Sequence, residues 1–252
     1  AHKIYRGQQI ALDNKSKDFF FMERREGMGV ETTVVELVKE RLPKYVRGTS
    51  ADIQVLTPMR KGPLGVEGLN PLLQNALNPS SKAKNEIEVG NTLFREGDKV
   101  MQIKNNYQME WEIVSKYNIP IDKGLGVFNG DIGTILSIDA VNREMCVEFD
   151  DKRKVNYNYE NLEELELAYA ITIHKSQGSE YPAVVLPILS GPRLLFNRNL
   201  LYTAITRAKE CVTIVGSRDM VGRMIENISE YQRYTGLENA IKQMEELYEF
   251  SR

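Results

Sequence analysis

The sequence predicts an α/β protein built on a parallel sheet, with a small β-barrel inserted into it. Three observations predict this. Compact apolar runs without alternation, at 53–57, 183–188 and 211–215, have the composition of strands buried on both faces. Stretches with apolar residues three and four apart lie around them, as crossover helices require. From 97 to 165 the periodicity falls to two, in short runs separated by turn residues at intervals of about ten, the pattern of a small barrel. The chain therefore divides into a discontinuous α/β domain, 1–96 with 166–252, and an insert at 97–165.

The elements follow in order. Ala1-His2-Lys3-Ile4-Tyr5-Arg6-Gly7 reads as a helix end closed by glycine. Phe19-Phe20-Phe21-Met22 reads as a buried strand, although three aromatics could also stack bases. Thr33 and Glu36 have the spacing of a capping box; Val34, Val38 and Leu42 continue a helix that Pro43 should end or kink. The strand at 53–57 runs into Pro58-Met59-Arg60-Lys61-Gly62-Pro63-Leu64-Gly65, two cations at the end of a strand where α/β sheets place ligands. An exposed basic loop explains them equally well. Leu69, Leu72, Leu73, Ala76 and Leu77 form the next helix, and 80–88 reads as a polar linker. In the insert, 98–104, 132–138, 145–149 and 153–159 read as strands. Turns are expected at 105–107, 123–126 and Asn129-Gly130. Tyr107, Trp111, Lys152, Arg153 and Lys154 are candidate nucleic-acid contacts there, with solvated hairpin residues as the alternative. CVEFDD at 146–151 imitates a magnesium-binding strand, but its alternation fits a barrel hairpin. Helices are expected over 218–227 and, from Leu237, Ala240, Ile241, Met244, Leu247 and Tyr248, near the end.

Bulk properties exclude little. Of 252 residues, 27% are charged and 42% hydrophobic, with a formal net charge of −2. No global basic field advertises nucleic-acid binding, so any such contact needs a local groove, with the acidic stretch 160–166 expected elsewhere. The two cysteines, Cys146 and Cys211, lack metal-ligand spacing and read as buried thiols of a reducing compartment. No metal site, membrane span or signal peptide is visible, and the cytoplasm is the expected location.

Two segments carry the chemistry. In AYAITIHKSQGSE, 168–180, an apolar stretch gives way to Thr172, His174, Lys175, Ser176 and Gln177, and Gly178 lets the backbone turn. A glycine among small polar residues frees backbone N–H groups to approach an anion, while Lys175, Gln177 and Glu180 add a cation, an amide and a carboxylate. That mixture suits a ligand with phosphates and hydroxyls; a water-facing turn between strands is the alternative. In NLLYTAITRAKECVTIVG, 199–216, a helical winding buries Leu200, Leu201, Ala204, Ile205 and Ala208 and places Asn199, Thr203 and Arg207 on another face. An arginine held at the end of such a helix could stabilise charge on a phosphoryl group, or could simply complement the helix dipole, as Lys209 could.

Together, T-x-H-K-S-Q-G-x-E and L-Y-T-A-I-T-R-A resemble the fifth and sixth motifs of superfamily 1 helicases, most of all the RecD-like branch, the exonuclease V alpha subunit and its stand-alone relatives. The opening A-H-x-I-x-x-G and the P-M-R-K-G loop resemble the same branch. The resemblance implies a second RecA-like domain with an inserted SH3-like barrel. It implies that Gln177, Gly178, Ser179 and Glu180 lie near the nucleotide, and that Thr172, His174, Lys175, Arg60 and Lys61 meet single-stranded DNA. Arg207 would be the arginine finger. The expected direction is 5′→3′.

No G-x-x-x-x-G-K-[ST] occurs in the sequence. The chain, which opens on Ala1, is thus read as the C-terminal portion of a helicase without its own P-loop. ATP and Mg2+ would be held mainly by an N-terminal RecA-like domain of the same polypeptide, with none tightly bound here and no hydrolysis by this portion alone. Other exonuclease V-type subunits are further candidate partners. The alternatives are a non-catalytic single-stranded nucleic-acid-binding module and a purely structural domain.

Overall fold

The computed structural model describes residues 1–117 and 119–228. The helix expected over 237–248 lies outside the described residues. The chain opens with α1 (His2–Tyr5) and β1 (Phe19–Glu23), then α2 (Gly27–Glu36), a π-helical turn at Leu37–Arg41 and α3 (Leu42–Tyr45). Pro43 lies just past the π-helical turn, and Arg41 and Leu42 before it keep helical dihedrals, so the helix changes pitch there and continues. Thr33 is not a cap. It lies within α2, donates to the Gly29 carbonyl at 2.7 Å and accepts from Arg24 Nε at 2.9 Å. Next come β2 (Ile53–Thr57) and α4 (Val66–Leu77), followed by the hairpin of β3 (Glu86–Val89) and β4 (Thr92–Arg95) in part of the expected linker.

Seven strands follow: β5 (Lys99–Gln102), β6 (Asn106–Val114), β7 (Pro120–Val127), β8 (Ile132–Asp139), β9 (Glu144–Phe149), β10 (Lys154–Asn158) and β11 (Leu165–Leu167). They form one antiparallel sheet in the order β11-β5-β8-β9-β10-β6-β7. Among the described residues no ladder joins β7 back to β11. Two expected turns prove to be strand. Residues 106–107 open β6 and 123–126 lie within β7, because Gly124 serves the sheet: a Cβ there would sit 2.5 Å from the Trp111 ring. The hairpin at Asp150-Asp151 joins β9 to β10 antiparallel, as the CVEFDD reading expected.

The chain then returns as β12 (Ala170–Thr172), β13 (Tyr181–Ile188), α5 (Arg198–Ile205), β14 (Ala208–Gly216) and α6 (Arg218–Glu226). β1, β2, β12, β13 and β14 make a five-stranded parallel sheet, ordered β1-β14-β13-β2-β12. Alternate residues of β13 face opposite cores. Ala183 and Val185 join Val30, Val34 and Leu69 of α2 and α4, whereas Val184 and Leu186 join Leu201, Val221 and Ile4 of α5, α6 and α1. Burial on both faces is why these strands read as unbroken apolar runs. Ile228 is exposed beyond the end of α6.

Buried polar side chains weld the two sheets together. Gln54 donates to the Ala168 and Tyr169 carbonyls at 3.0 and 3.1 Å. Asn70 donates to the Leu167 and Ala170 carbonyls and accepts from the Ala170 amide. Asp98 is fully buried and accepts from Gln74, Asn78 (2.7 Å), the Tyr169 hydroxyl (2.9 Å) and the Arg95 amide (2.7 Å). Desolvation raises its pKa, and these four donors pull the other way.

Candidate functional site

The pairing of the strands separates the candidate residues into two groups. Thr172 pairs with Thr57, so the segments that follow β12 and β2 leave the carboxy-terminal edge of the parallel sheet together. Tyr181 pairs with Ala208, so the segments that precede β13 and β14 meet at the amino-terminal edge.

At the carboxy-terminal edge, the Thr57 hydroxyl donates to the Leu64 carbonyl at 2.6 Å and the Val66 amide to the Met59 carbonyl at 3.2 Å, folding 58–65 back over the start of α4. Gly65 is required for that fold, since a Cβ would lie 2.4 Å from the Lys61 carbonyl oxygen. The loop leaves Arg60 and Lys61 exposed. On the neighbouring strand, Thr172 accepts a hydrogen bond from the Lys175 amide at 3.4 Å and so caps the 3-10 turn Ile173–Ser176. That turn carries His174 into solvent and Lys175 towards Arg60. Between the two cations stands Glu166 of β11. Both terminal nitrogens of Arg60 donate to its carboxylate, and Lys175 Nζ donates to Oε2 at 3.0 Å. Burial opposes ionisation of Glu166, but the hydrogen bonds from Arg60 and Lys175 outweigh it and hold the carboxyl below its ordinary range. The hydrogen bond to Glu166 in turn raises the Arg60 pKa.

Glu166 corrects the expectation that the acidic stretch would lie away from these cations. Leu165 and Leu167 point into the core, so the residue between them must face outward. The register of β11 on β5, with Glu166 opposite Met101, carries it to the Arg60 loop. No local pattern could have named its partners.

At the amino-terminal edge, Gly178 adopts φ +88°, a left-handed conformation with open space where a Cβ would be, so it is required for conformation rather than fit. Gln177 and Glu180 are exposed, and Glu180 pairs with Lys209 at 3.9 Å. The Tyr181 amide donates to the Arg207 carbonyl at 2.8 Å, which ties the two motif segments together. The helix of the second segment is shorter than expected. Asn197 caps it, accepting from the Leu200 amide at 2.9 Å, and it ends at Ile205. The Thr206 hydroxyl then donates to the Thr203 carbonyl at 2.9 Å, an acceptor that another turn of helix would have used. Arg207 therefore lies in the turn before β14, and Ala208 opens that strand.

The Arg207 guanidinium is half-buried and held at three points. Nε donates to the Thr203 carbonyl at 3.2 Å, Nη1 to the Ser179 carbonyl at 3.1 Å and Nη2 to the Thr206 hydroxyl at 3.2 Å. All three acceptors are uncharged. Among the described residues no carboxylate forms an ion pair with it. Such a group is oriented yet keeps its full positive charge for an incoming anion.

On the insert the candidates differ in kind. Arg153 is committed, paired with Asp131 at 2.7 Å and Asp151 at 2.5 Å beneath the half-buried Trp111 ring. Lys152 pairs with Glu148 at 3.3 Å, and Lys154 is half-buried. Tyr107 is exposed and stacks edge-on against Phe128. Among the described residues there is no cluster of metal-ligating side chains, and no helix is long and apolar enough to cross a membrane. Cys211 is buried and Cys146 half-buried.

Residues 69–149 match the family described as the ATP-dependent RecD-like DNA helicase SH3 domain, and 167–215 match the UvrD-like helicase C-terminal domain. The ATP-dependent RecD2 DNA helicase of Deinococcus radiodurans is 35% identical over 217 residues, covering 86% of this chain and 26% of that protein. The RecBCD enzyme subunit RecD of Mycolicibacterium smegmatis is 29% identical over 192 residues, 75% of this chain and 29% of the subunit. The chain thus spans little more than a quarter of the length of either relative. Among solved structures, the Pif1 helicase from Bacteroides in complex with ADP-AlF3 and ssDNA aligns with a TM-score of 0.44 at 17% identity, over 96% of this chain and 56% of that one.

Proposed function

Because the chain belongs to the RecD-like helicase family, we propose that it is the C-terminal part of an ATP-dependent DNA helicase that translocates 5′→3′ on single-stranded DNA. In this reading 1–96 and 166–252 form its second RecA-like domain and 97–165 the insert. ATP with Mg2+ is held mainly by an N-terminal RecA-like domain of the same polypeptide. Gln177, Gly178, Ser179 and Glu180 approach that nucleotide from the amino-terminal edge of the sheet. Arg207 stabilises charge developing on the transferred phosphoryl group, a contribution electrostatic in origin and large in a water-poor cleft. Thr172, His174, Lys175, Arg60 and Lys61 hold the phosphates of one strand at the opposite edge, and closure of the cleft on each ATP advances the grip. Other exonuclease V-type subunits are proposed partners; the RecD relative is itself named as a RecBCD subunit.

The observation that carries this reading is the Arg207 cradle. A guanidinium fixed by two carbonyls and a hydroxyl, with no carboxylate to neutralise it, is prepared for an anion from outside. The test is to measure ATP turnover by this chain alone and joined to its N-terminal portion. Turnover stimulated by single-stranded DNA is expected only in the joined protein. Steady hydrolysis by the isolated chain, or none after joining, overturns the reading.

A further inference from the structure

We infer that Glu166 is a positioning residue that competes with a nucleic-acid phosphate for Arg60 and Lys175, and so sets how tightly this edge of the sheet holds a strand. The inference rests on the proposed assignment of that edge to single-stranded DNA.

The geometry supplies the reason. A carboxylate offers two oxygens much as a phosphodiester offers its two non-bridging ones, so a guanidinium and an ammonium that share the first are placed to share the second. Glu166 divides its oxygens in that way, taking Arg60 on Oε1 and Lys175 on Oε2, with a longer Arg60 contact to Oε2 at 3.4 Å. The trio is open to exchange. Arg60, Glu166 and Lys175 side chains are 51%, 24% and 26% exposed, so a polyanion can reach them without unfolding anything. Glu67, 3.7 Å from Arg60 Nε, remains beside the guanidinium when Glu166 lets go.

The three residues also come from different parts of the chain. Arg60 and Lys175 follow β2 and β12 of the parallel sheet, whereas Glu166 is carried by the last strand of the antiparallel one. With Glu166 shared by both cations and Glu67 beside Arg60, the cluster has no net charge, and a phosphate binds only by displacing the Glu166 carboxylate from one or both cations. The end strand of the antiparallel sheet thereby lowers the affinity of the edge it adjoins. A weaker grip suits a motor, which must release its strand in every cycle.

The test is anisotropy of a fluorescent oligothymidylate titrated with this chain at several salt concentrations, using wild type, Glu166→Gln and the double variant Arg60→Ala/Lys175→Ala. Glu166→Gln should bind about three- to fivefold more tightly at low salt, the scale of one partly exposed ion pair. The slope of log K against log salt should steepen by roughly 0.7, one further counterion released from a single strand. Equal or weaker binding with an unchanged slope means that Glu166 only braces the fold, and overturns the inference. The double variant should bind more weakly; if it binds like wild type, the assignment of this edge to DNA fails and the inference with it. Weaker binding by the double variant beside an unresponsive Glu166→Gln sinks the inference alone. Should Glu166→Gln not fold, Glu166→Asp keeps the charge but withdraws it from Lys175, and the same direction of change is expected and decisive.

Discussion

The two edges of the parallel sheet treat their cations in opposite ways. At the carboxy-terminal edge Arg60 and Lys175 are already engaged with a carboxylate, and their charge is largely answered within the protein. At the amino-terminal edge Arg207 is gripped as firmly, but by carbonyls and a hydroxyl that fix its direction and leave its charge unanswered. The difference teaches that orientation and neutralisation are separable. Under the proposed function, an arginine for transient chemistry needs the first without the second, whereas cations for a grip that must be released profit from both. Thr206 and Thr203 accomplish the first at Arg207 with atoms that an uninterrupted helix would have consumed.

The contrast can be broken most severely at Arg207. If the proposed function holds, Arg207→Ala in the chain joined to its N-terminal portion should lower ATP turnover by about a thousandfold or more, the range of arginine-finger losses, with nucleotide binding retained. The melting temperature should hardly move, because the abandoned acceptors border solvent. A steady-state assay showing near-normal turnover would remove the distinction between the edges. Asp98 is the buried counterpart of Arg207, a carboxyl likewise held by uncharged partners but shut away from solvent. Asp98→Ala leaves donors from Gln74, Asn78, Tyr169 and Arg95 unpaired in the interior. It should cost about 3 kcal/mol in a urea titration, as expected for breaking a buried charged network. The smallest effect sharpens the comparison through pH. Glu166 is held below its ordinary value of 4.5, so its stabilising contribution is complete above that value and is lost as pH falls through the folded-state value. The groups that face it are the cations Arg60 and Lys175, and Glu67 beside Arg60 is the other carboxylate in the cluster. The stability difference between wild type and Glu166→Gln should therefore be constant from about pH 6 to 8 and shrink in acid. A difference that grew on acidification would show that the carboxylate is not what the cations stabilise.

Legibility in the sequence followed the range of the forces involved. Strands such as β13 were readable because burial on both faces dictates every side chain, and the order of the two motif segments was readable because their residues are contiguous. What failed was decided at a distance. Gly124 reads as a turn until the Trp111 ring across the ladder is known to need its missing Cβ. Arg207 reads as helical until the Thr206 hydroxyl takes the carbonyl that would extend α5. Glu166 reads as a stray acid, since nothing near it in sequence foretells Arg60, 106 residues away. The edge groupings themselves follow from strand order, which no local pattern contains.

The ladder between β5 and β11 has a kinetic consequence. β12 must find β2 across a long excursion, Gln54 and Tyr169 being 115 residues apart. Closing a loop of that length carries an entropic cost of about 4 kcal/mol before any contact forms. Because β5 and β11 pair at the two ends of the insert, with Val100 opposite Leu167, a folded insert delivers the far end of the excursion beside its beginning. If the insert folds first, the stretch left to close before edge strand β12 pairs with β2 runs only from Val55 to Val100 and from Leu167 to Ala170, which lowers the entropic cost by roughly 1 kcal/mol.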